Sequence, residues 1–96
     1  MVTMATTRAD LDRLAHAVAD PTRRLLIERL LASPGLTTGQ LATSAPQLTR
    51  FAVMKHLDVL RRTGLLRTMG DGRQRRHYLE AGGLDALRAW LDSLSA

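Results

Sequence analysis

The stretch TTGQLATSAPQLTRFAVMKHLDVLRRT, residues 37–63, carries two helix-start signals with a proline-containing break between them. Thr37 followed by Gln40 three positions later is a capping-box pattern, which predicts a short helix. Thr49 is a suitable N-cap for a longer helix over residues 50–63, and a glycine follows where that helix is expected to end. A short helix, a break and a longer helix are typical of a helix-turn-helix.

The longer helix is expected to be amphipathic because its apolar residues recur at helical spacing. The stripe predicted to be buried comprises Val53, Met54, Leu57 and Leu60. The face predicted to point away from the core comprises Phe51, Ala52, Lys55, Val59 and Arg62.

Two strand-like runs follow this helix. Residues 65–69 and 74–79 flank the tetrapeptide Gly70-Asp71-Gly72-Arg73. Asp-Gly between strand-like runs is a strong signal for a β-hairpin. A basic hairpin directly after a helix-turn-helix predicts a winged helix-turn-helix, in which the hairpin is the wing.

Helices are also predicted on both sides of this unit. Residues 9–19 have apolar residues at i, i+3, i+4 and i+7, and Asp20-Pro21 supplies an N-cap and a first-turn proline for a second helix. Residues 83–95 place leucines at coiled-coil-like spacing. The predicted fold class is therefore mainly α, with about five helices and a two-stranded wing, and residues 1–96 are interpreted as one domain.

The charge of the chain is unevenly distributed. Its 96 residues hold 14 Lys and Arg against 9 Asp and Glu, a formal net charge of +5. Residues 49–80 alone hold eight basic and three acidic side chains, so this third of the chain carries a net +5 by itself. A concentrated basic region is typical of a polyanion-binding surface, although a solvated arginine-rich surface would give the same count.

The composition excludes several classes of function. Cys is absent, which removes disulfides, thiolate metal sites and thiol nucleophiles. No apolar run is long enough to span a membrane and no signal peptide is recognised, so we expect a soluble, cytoplasmic protein. Because no nucleophile motif or phosphate-binding glycine loop occurs, neither an enzyme nor a cofactor is predicted.

Four runs of sequence carry a family resemblance. They are ADPTRR at residues 19–24, TTGQLA at 37–42, LTRFAVMKHL at 48–57 and GRQRRHYL at 72–79. In this order they resemble the motifs of ArsR-type winged-helix transcriptional repressors, and the resemblance extends over residues 11–94.

The resemblance is to a subgroup that does not sense metals, and the TRFAVMKHL run carries this distinction. Metal-sensing members place Cys pairs where this chain has Gln40-Leu41-Ala42, or Asp and His ligands on the C-terminal helix, which here contains no His. No metal site is therefore predicted.

The resemblance implies that the chain dimerises and binds double-stranded DNA through the wing and the helix over residues 50–63, the recognition helix. Candidate contacts on this helix and its cap are Thr49, Arg50, Phe51, Ala52, Lys55, His56 and Arg62. Lys55 or Arg50 would hydrogen-bond guanine, and Phe51 or Ala52 would contact a thymine methyl group. For Phe51 the alternative is packing against the short helix, and for His56 it is structural support of the recognition helix.

Further candidate contacts to DNA are Thr37, Thr38, Gln40, Arg73, Arg75 and Arg76. The free N–H groups at the start of the short helix would meet a phosphate; the alternative is a plain cap, and the two roles are compatible. In the wing, Arg73 lies beside the turn and would enter a narrow minor groove. Arg75 and Arg76 lie behind it on opposite faces of their strand, so they would not face DNA equally.

The apolar residues of the terminal helices exceed what a small core covers easily. They comprise Leu11, Leu14 and Val18 on the first helix and Leu84, Leu87, Trp90, Leu91 and Leu94 on the last. We expect these helices to pair across a two-fold axis, which would space two recognition helices by about 34 Å. The alternative is that both stripes pack on the core of a single copy.

Three other functions remain open alternatives. One is a protein-interaction module whose basic face binds an acidic partner, and the second is RNA binding. The third is a metal-responsive repressor without cysteine ligands, because Asp12, His16 and Asp20 follow helical spacing, although Asp20 also suits the N-cap of the next helix. No effector, operator or regulated gene is identified by the sequence.

Overall fold

A computed structural model of the chain describes residues 8–95, which form five helices and one antiparallel sheet. The elements are α1 (Arg8–Ala19), α2 (Pro21–Ala32), β1 (Leu36–Thr37), α3 (Thr38–Ala42), α4 (Arg50–Arg62), β2 (Leu66–Asp71), β3 (Gln74–Leu79) and α5 (Asp85–Ser93). Helices α3 and α4 are the predicted helix-turn-helix, and β2 and β3 are the predicted wing. The winged helix-turn-helix fold class is therefore confirmed.

The predicted starts of α2, α3 and α4 are confirmed by their hydrogen bonds. The Asp20 carboxylate accepts from the backbone N–H of Arg23 at 3.0 Å, ahead of a proline in the first turn of α2. Thr37 and Gln40 form the complete capping box of α3, with each side chain accepting from the other residue's backbone N–H. The Thr49 hydroxyl caps α4 in the same way. These contacts satisfy N–H groups that a helix start otherwise leaves without partners.

The sheet has three strands in the order β1-β3-β2, where the sequence predicted only the two strands of the wing. The additional strand pairs Leu36 with His77 and Thr37 with Arg76. It escaped prediction because two residues are too few to show the alternation that marks a strand. This short pairing joins the wing to the residues that open α3.

The wing ends in a two-residue turn. Asp71 pairs with Gln74, which leaves Gly72 and Arg73 as the loop, and Gly72 has a φ of 61°. A positive φ at the first loop position is the geometry that two-residue hairpins require, and glycine adopts it without strain. Strand β2 therefore runs two residues further than the sequence predicted, and this places Arg73 at the tip.

The core lies between the helices and the inner face of the sheet. Its buried hydrophobic residues are Leu14, Ala17, Leu26, Leu30, Leu41, Val53, Leu57, Leu60, Leu65 and Leu66. The predicted stripe of α4 is confirmed for three of its four residues and is wrong for Met54, which is half exposed. Neighbouring positions differ by only 100° around a helix, so the packing of α4 on α2 and α3 decided which side of the stripe was covered.

The last helix, Asp85–Ser93, is shorter than the predicted 83–95. Leu84 precedes it and Leu94 follows it, so both lie at helix ends. The segment before α5 is close-packed, since a Cβ atom at Gly83 would lie 2.9 Å from the Gly64 carbonyl oxygen. Among the residues that the structure describes, no helix has the length and apolar character needed to cross a membrane.

Candidate nucleic-acid interface

A groove of about 690 Å³ separates the exposed face of α4 from the strands of the wing. Its lining residues are Thr38, Phe51, Met54, Lys55, Leu57, Asp58, Val59, Arg61, Arg62, Thr68, Arg75 and His77. Four of these side chains are cationic and one is acidic. The helix-turn-helix and the wing therefore face one common, positively charged surface, which suits a polyanion.

The N-terminal half of α4 presents an aromatic residue and a cation side by side. Phe51 is 66% exposed, so most of its side chain is accessible rather than buried against the short helix. The Lys55 ammonium lies 5.1 Å from the centroid of the Phe51 ring. Such a cation–π contact restricts the freedom of the lysine side chain. Arg50 is also exposed at the start of this helix, whereas Ala52 is only partly exposed.

The residues that open α3 use their side chains inside the protein. The Thr37 hydroxyl and the Gln40 amide make the capping box, and the buried Thr38 hydroxyl lies 2.8 Å from Nε2 of His77. The Thr37 and Thr38 side chains are thus turned inward, and Gln40 is exposed. The Arg50 guanidinium approaches this helix start to within 3.9 Å of the position that a Cβ atom would take at Gly39.

The three arginines of the wing differ in their surroundings. Arg73 is exposed at the turn, and Arg75 is exposed on the wall of the groove. Arg76 donates to the Asp71 carboxylate at 2.6 Å and to the Gly35 carbonyl oxygen at 2.9 Å. The hydrogen bond to Asp71 raises the pKa of Arg76. Arg76 therefore joins the two strands of the wing to the start of β1, a use that the sequence did not indicate.

Two cations near the end of α4 share one carboxylate. Arg61 and Arg62 both pair with Asp58, and the Arg62 contact measures 3.1 Å. All three residues line the groove. The pairs are exposed, so each holds its arginine in place only weakly.

His56 lies against the inner elements rather than on the exposed tip of α4. Its Nδ1 atom is 3.2 Å from Nη1 of Arg23 and 3.8 Å from the Asp20 carboxylate. Arg23 is buried and also donates to the carbonyl oxygens of His16 and Ala17 at the end of α1. These contacts correspond to the supporting role that the sequence left open for His56. Burial tends to raise the pKa of Asp20, but hydrogen bonding from the Arg23 N–H and the nearby His56 and Arg23 charges hold it below its ordinary value.

His77 is a buried polar residue of this region that sequence reasoning did not single out as functional. It is 3% exposed and lies between the hydroxyl groups of Thr38 and Thr68. Burial, followed by the charges of Arg61 and Arg75, lowers its pKa. The available signal was strand alternation, which placed His77 on the same face as Leu79.

The residues predicted for the dimer interface differ in how far they are exposed in the single copy. Leu14 is 6% exposed and belongs to the core of the single copy, which is the alternative that the sequence left open for this stripe. Val18 packs against the same core, and Leu11 and Leu87 are partly buried. The apolar residues that stay exposed on or beside α5 are Leu84, Trp90, Leu91 and Leu94. The first stripe faces inward because α1 packs on α2 and α5 within the copy.

Asp12 and His16 of α1, and Asp20 directly after this helix, have different surroundings in the structure. Asp20 is engaged as the N-cap of α2, while Asp12 and His16 are exposed. Over residues 8–95, no group of three His, Cys, Asp or Glu side chains is arranged to hold a metal ion.

Two known proteins are similar to most of this chain. HTH-type transcriptional regulator Rv2034 of Mycobacterium tuberculosis is 43% identical over 81 residues, which cover 84% of this chain and 74% of that protein. A crystal structure of an ArsR family transcriptional regulator matches with a TM-score of 0.86 and 34% identity, over 96% of this chain and 93% of the other. The chain belongs to the ArsR family. It is a DNA-binding transcriptional regulator, as its relatives are, and not an enzyme.

A third similar protein is described as a sensor of a metal ion. The NMR structure of the cadmium metal sensor CMTR from Mycobacterium tuberculosis is 39% identical to this chain. It matches with a TM-score of 0.62, over 83% of this chain and 81% of the sensor. No protein-family model matches the sequence.

Proposed function

We propose that this ArsR-family regulator is a homodimeric repressor that binds an inverted repeat in double-stranded DNA, including one in its own promoter. The observation that carries the proposal is the common groove between α4 and the wing, with Lys55, Arg61, Arg62 and Arg75 on its walls. Winged helix-turn-helix proteins bind DNA with a helix in the major groove, and a groove of one charge sign concentrates a polyanion.

The two halves of this surface have different tasks in the proposed complex. Thr49, Arg50, Phe51, Ala52 and Lys55 lie at the start of α4 and would meet base edges, because the N-terminal residues of a recognition helix enter the groove first. Their exposure, apart from the partly covered Ala52, supports this assignment.

The remaining cations would contact the sugar–phosphate backbone and the minor groove. Arg73, exposed at the tip of the wing, would enter a narrow minor groove, where the negative potential is enhanced. Arg62 and Arg75 would neutralise phosphates from the walls of the common groove. The N–H groups that open α3 would contribute through the backbone, since the Thr37 and Thr38 side chains face inward.

The dimer would form through α5. Leu84, Trp90, Leu91 and Leu94 leave an apolar surface on or beside this helix, and Leu11 of α1 lies beside it. Contiguous exposed apolar surface of this kind marks an interaction site. A two-fold axis through α5 would present two recognition helices to half-sites about one DNA turn apart, which is why an inverted repeat is the expected operator.

Repression would follow from occupying the promoter in the cytoplasm, with residues 1–96 acting as one domain. We do not expect this chain to sense cadmium as that relative does. A soft metal ion favours thiolate ligands, and Cys is absent from the sequence. The signal that releases the DNA would be a small organic molecule or a protein partner.

The test is a gel shift with the fragment upstream of the chain's own gene and a random duplex of equal length. A repressor should prefer its own fragment by about 10³-fold or more. Its affinity should fall by orders of magnitude between about 50 and 200 mM salt, since several phosphates are neutralised. Equal binding to both duplexes would contradict the proposal, and so would a preference for single-stranded RNA or an acidic protein.

A further inference from the structure

The imidazole of His77 joins three elements of the fold. Its Nε2 atom is 2.8 Å from the hydroxyl oxygen of Thr38 in α3, and its Nδ1 atom is 2.9 Å from that of Thr68 in β2. His77 itself lies in β3, directly across from Thr68. These three side chains, Thr38, His77 and Thr68, are called the Thr–His–Thr bridge below.

The bridge suits a neutral imidazole. A neutral ring offers one N–H donor and one acceptor, and each threonine hydroxyl can take either role, so both ring nitrogens are satisfied in the buried site. Burial and the facing arginine charges favour this neutral form. The charged groups that line the same groove are Lys55, Asp58, Arg61 and Arg62 of α4 and Arg75 of β3.

The bridge supplements a short backbone connection and the contact of Arg76 with Gly35 beside it. The wing is paired to the helix-turn-helix side of the molecule through β1, which contributes only two residue pairs. A ladder of two pairs holds the strands together but resists tilting of the hairpin weakly, because all its hydrogen bonds lie near one line. The His77 side chain stands off that line and reaches α3, so it opposes the tilt.

A small tilt at His77 would displace the tip of the wing. Arg73 precedes His77 by four positions, and strand residues rise by about 3.3 Å each, so the tip lies about 13 Å away along the strand. Over that length, a tilt of roughly 15° moves Arg73 by about 3 Å, which is enough to break a hydrogen bond or close ion pair.

We propose that His77 is a positioning residue for DNA binding, which sets the angle between the wing and the helix-turn-helix so that both engage one duplex together. The proposal rests on the DNA-binding function proposed above. It adds a residue that touches no DNA itself and acts through Thr38 and Thr68.

The test uses two variants that remove one hydrogen bond each with little change of shape, Thr38→Val and Thr68→Val. Thr68→Ser, which keeps the hydroxyl, is the rescue variant. Thr63→Val is the matched control, because the hydroxyl of Thr63, the C-cap residue of α4, donates to the carbonyl oxygens of Val59 and Leu60 in that helix and not to the wing. Each full-length variant is compared with the wild type in two measurements, and its folded fraction is checked by circular dichroism.

The first measurement is amide hydrogen exchange of the free protein, which does not depend on DNA. Thr38→Val and Thr68→Val should raise exchange in β2 and β3 without changing it in α2, whereas Thr63→Val should leave the wing as in the wild type. Unchanged exchange in the wing of both bridge variants would overturn the proposal.

The second measurement is affinity for the upstream duplex as a function of salt. Both bridge variants should bind the duplex about tenfold more weakly than the wild type. The slope of log K against log salt should become shallower by the equivalent of about one to two phosphate contacts. Thr68→Ser should restore both the affinity and the slope. A loss of affinity that only follows the folded fraction, with the slope unchanged, would overturn the proposal. If the wild type binds no duplex, the proposed function fails and the positioning role fails with it, even where hydrogen exchange shows the bridge to hold the wing.

Discussion

The Nη1 atom of Arg23 lies 3.2 Å from Nδ1 of His56 and so joins the first turn of α2 to the middle of the recognition helix. Arginine has only donors, which makes His56 Nδ1 the acceptor in this contact. The same guanidinium donates to the carbonyl oxygens of His16 and Ala17, which are left without helical partners at the end of α1. One buried cation therefore holds α1, α2 and α4 in register.

Replacement of Arg23 should destabilise the protein. Arg23→Ala leaves two carbonyl groups and one imidazole nitrogen without their donor, so we expect a loss of roughly 2–4 kcal/mol in the free energy of unfolding. Arg23→Lys should restore only part of this, because an ammonium group lacks the planar fork that reaches three acceptors. Urea unfolding measures the stability of both variants. The control is Arg29→Ala, which replaces an exposed arginine of the same helix. A loss no greater than that of the control would contradict the prediction.

Stability should fall in mildly acidic solution because of His77. Its pKa is lowered in the folded state by burial and by Arg61 and Arg75, so the unfolded chain binds the proton more readily. The stabilisation is complete above the ordinary histidine pKa of about 6.5 and is lost as the pH falls below it towards the folded-state value. Between pH 7.5 and pH 5.5, the free energy of unfolding should fall by more for the wild type than for His77→Gln.

The difference between these two proteins isolates His77, since His16 and His56 are common to both. If the wild type and His77→Gln lose the same free energy of unfolding between the two pH values, His77 is not the group responsible.

Lys55 and Arg73 should affect DNA binding in different ways. Lys55→Ala should reduce discrimination between the operator and single-base variants, by about 1–3 kcal/mol at the position that it reads. Arg73→Ala should lower affinity mainly for operators with A·T-rich flanks and reduce the salt slope by about one. Titration of a panel of duplexes at several salt concentrations separates the two effects. Equal losses on every duplex from both variants would contradict this division.

A charge placed on α5 should abolish the proposed dimer. Leu91→Glu introduces a carboxylate into the exposed apolar surface on and beside this helix, and burying it against a second copy would leave it unpaired. We expect a monomer in sedimentation-equilibrium ultracentrifugation at micromolar concentration. The control is Leu31→Glu, at an exposed leucine of α2, which should leave the wild-type mass unchanged. A monomeric wild type would refute the dimer itself.

The starts of α2, α3 and α4 could be predicted from the sequence because each depends on a cap between residues three positions apart. The caps by Asp20, Thr37 and Thr49 are local hydrogen bonds, and each is present in the structure. The wing was recognisable for the same reason, since a glycine-containing turn between strand-like runs is a short-range pattern. The two-residue strand β1 was not recognisable, because its partner lies about forty residues further along the chain and decides whether it is a strand at all.

The candidate site was predictable as a region but not side chain by side chain. The sequence placed the excess charge in residues 49–80, and the structure brings cations of α4 and the wing to one groove. The sequence did not indicate that Met54 borders this groove or that Arg76 is engaged by Asp71 and Gly35, and it did not decide whether Leu14 belongs to the core. Each of these depends on which elements pack together.

The sequence by itself determined the order of the helices, the hairpin, the basic segment and the family resemblance. All four depend on composition and on the spacing of residues close together in the chain. Only the tertiary structure decided which polar side chains point inward. The Thr–His–Thr bridge joins His77 to residues 39 and 9 positions away, and Arg23 reaches His56 over 33 positions. A hydrogen bond forms only within about 3.5 Å and in a narrow range of directions, and packing of the whole fold is what brings such distant residues to that separation.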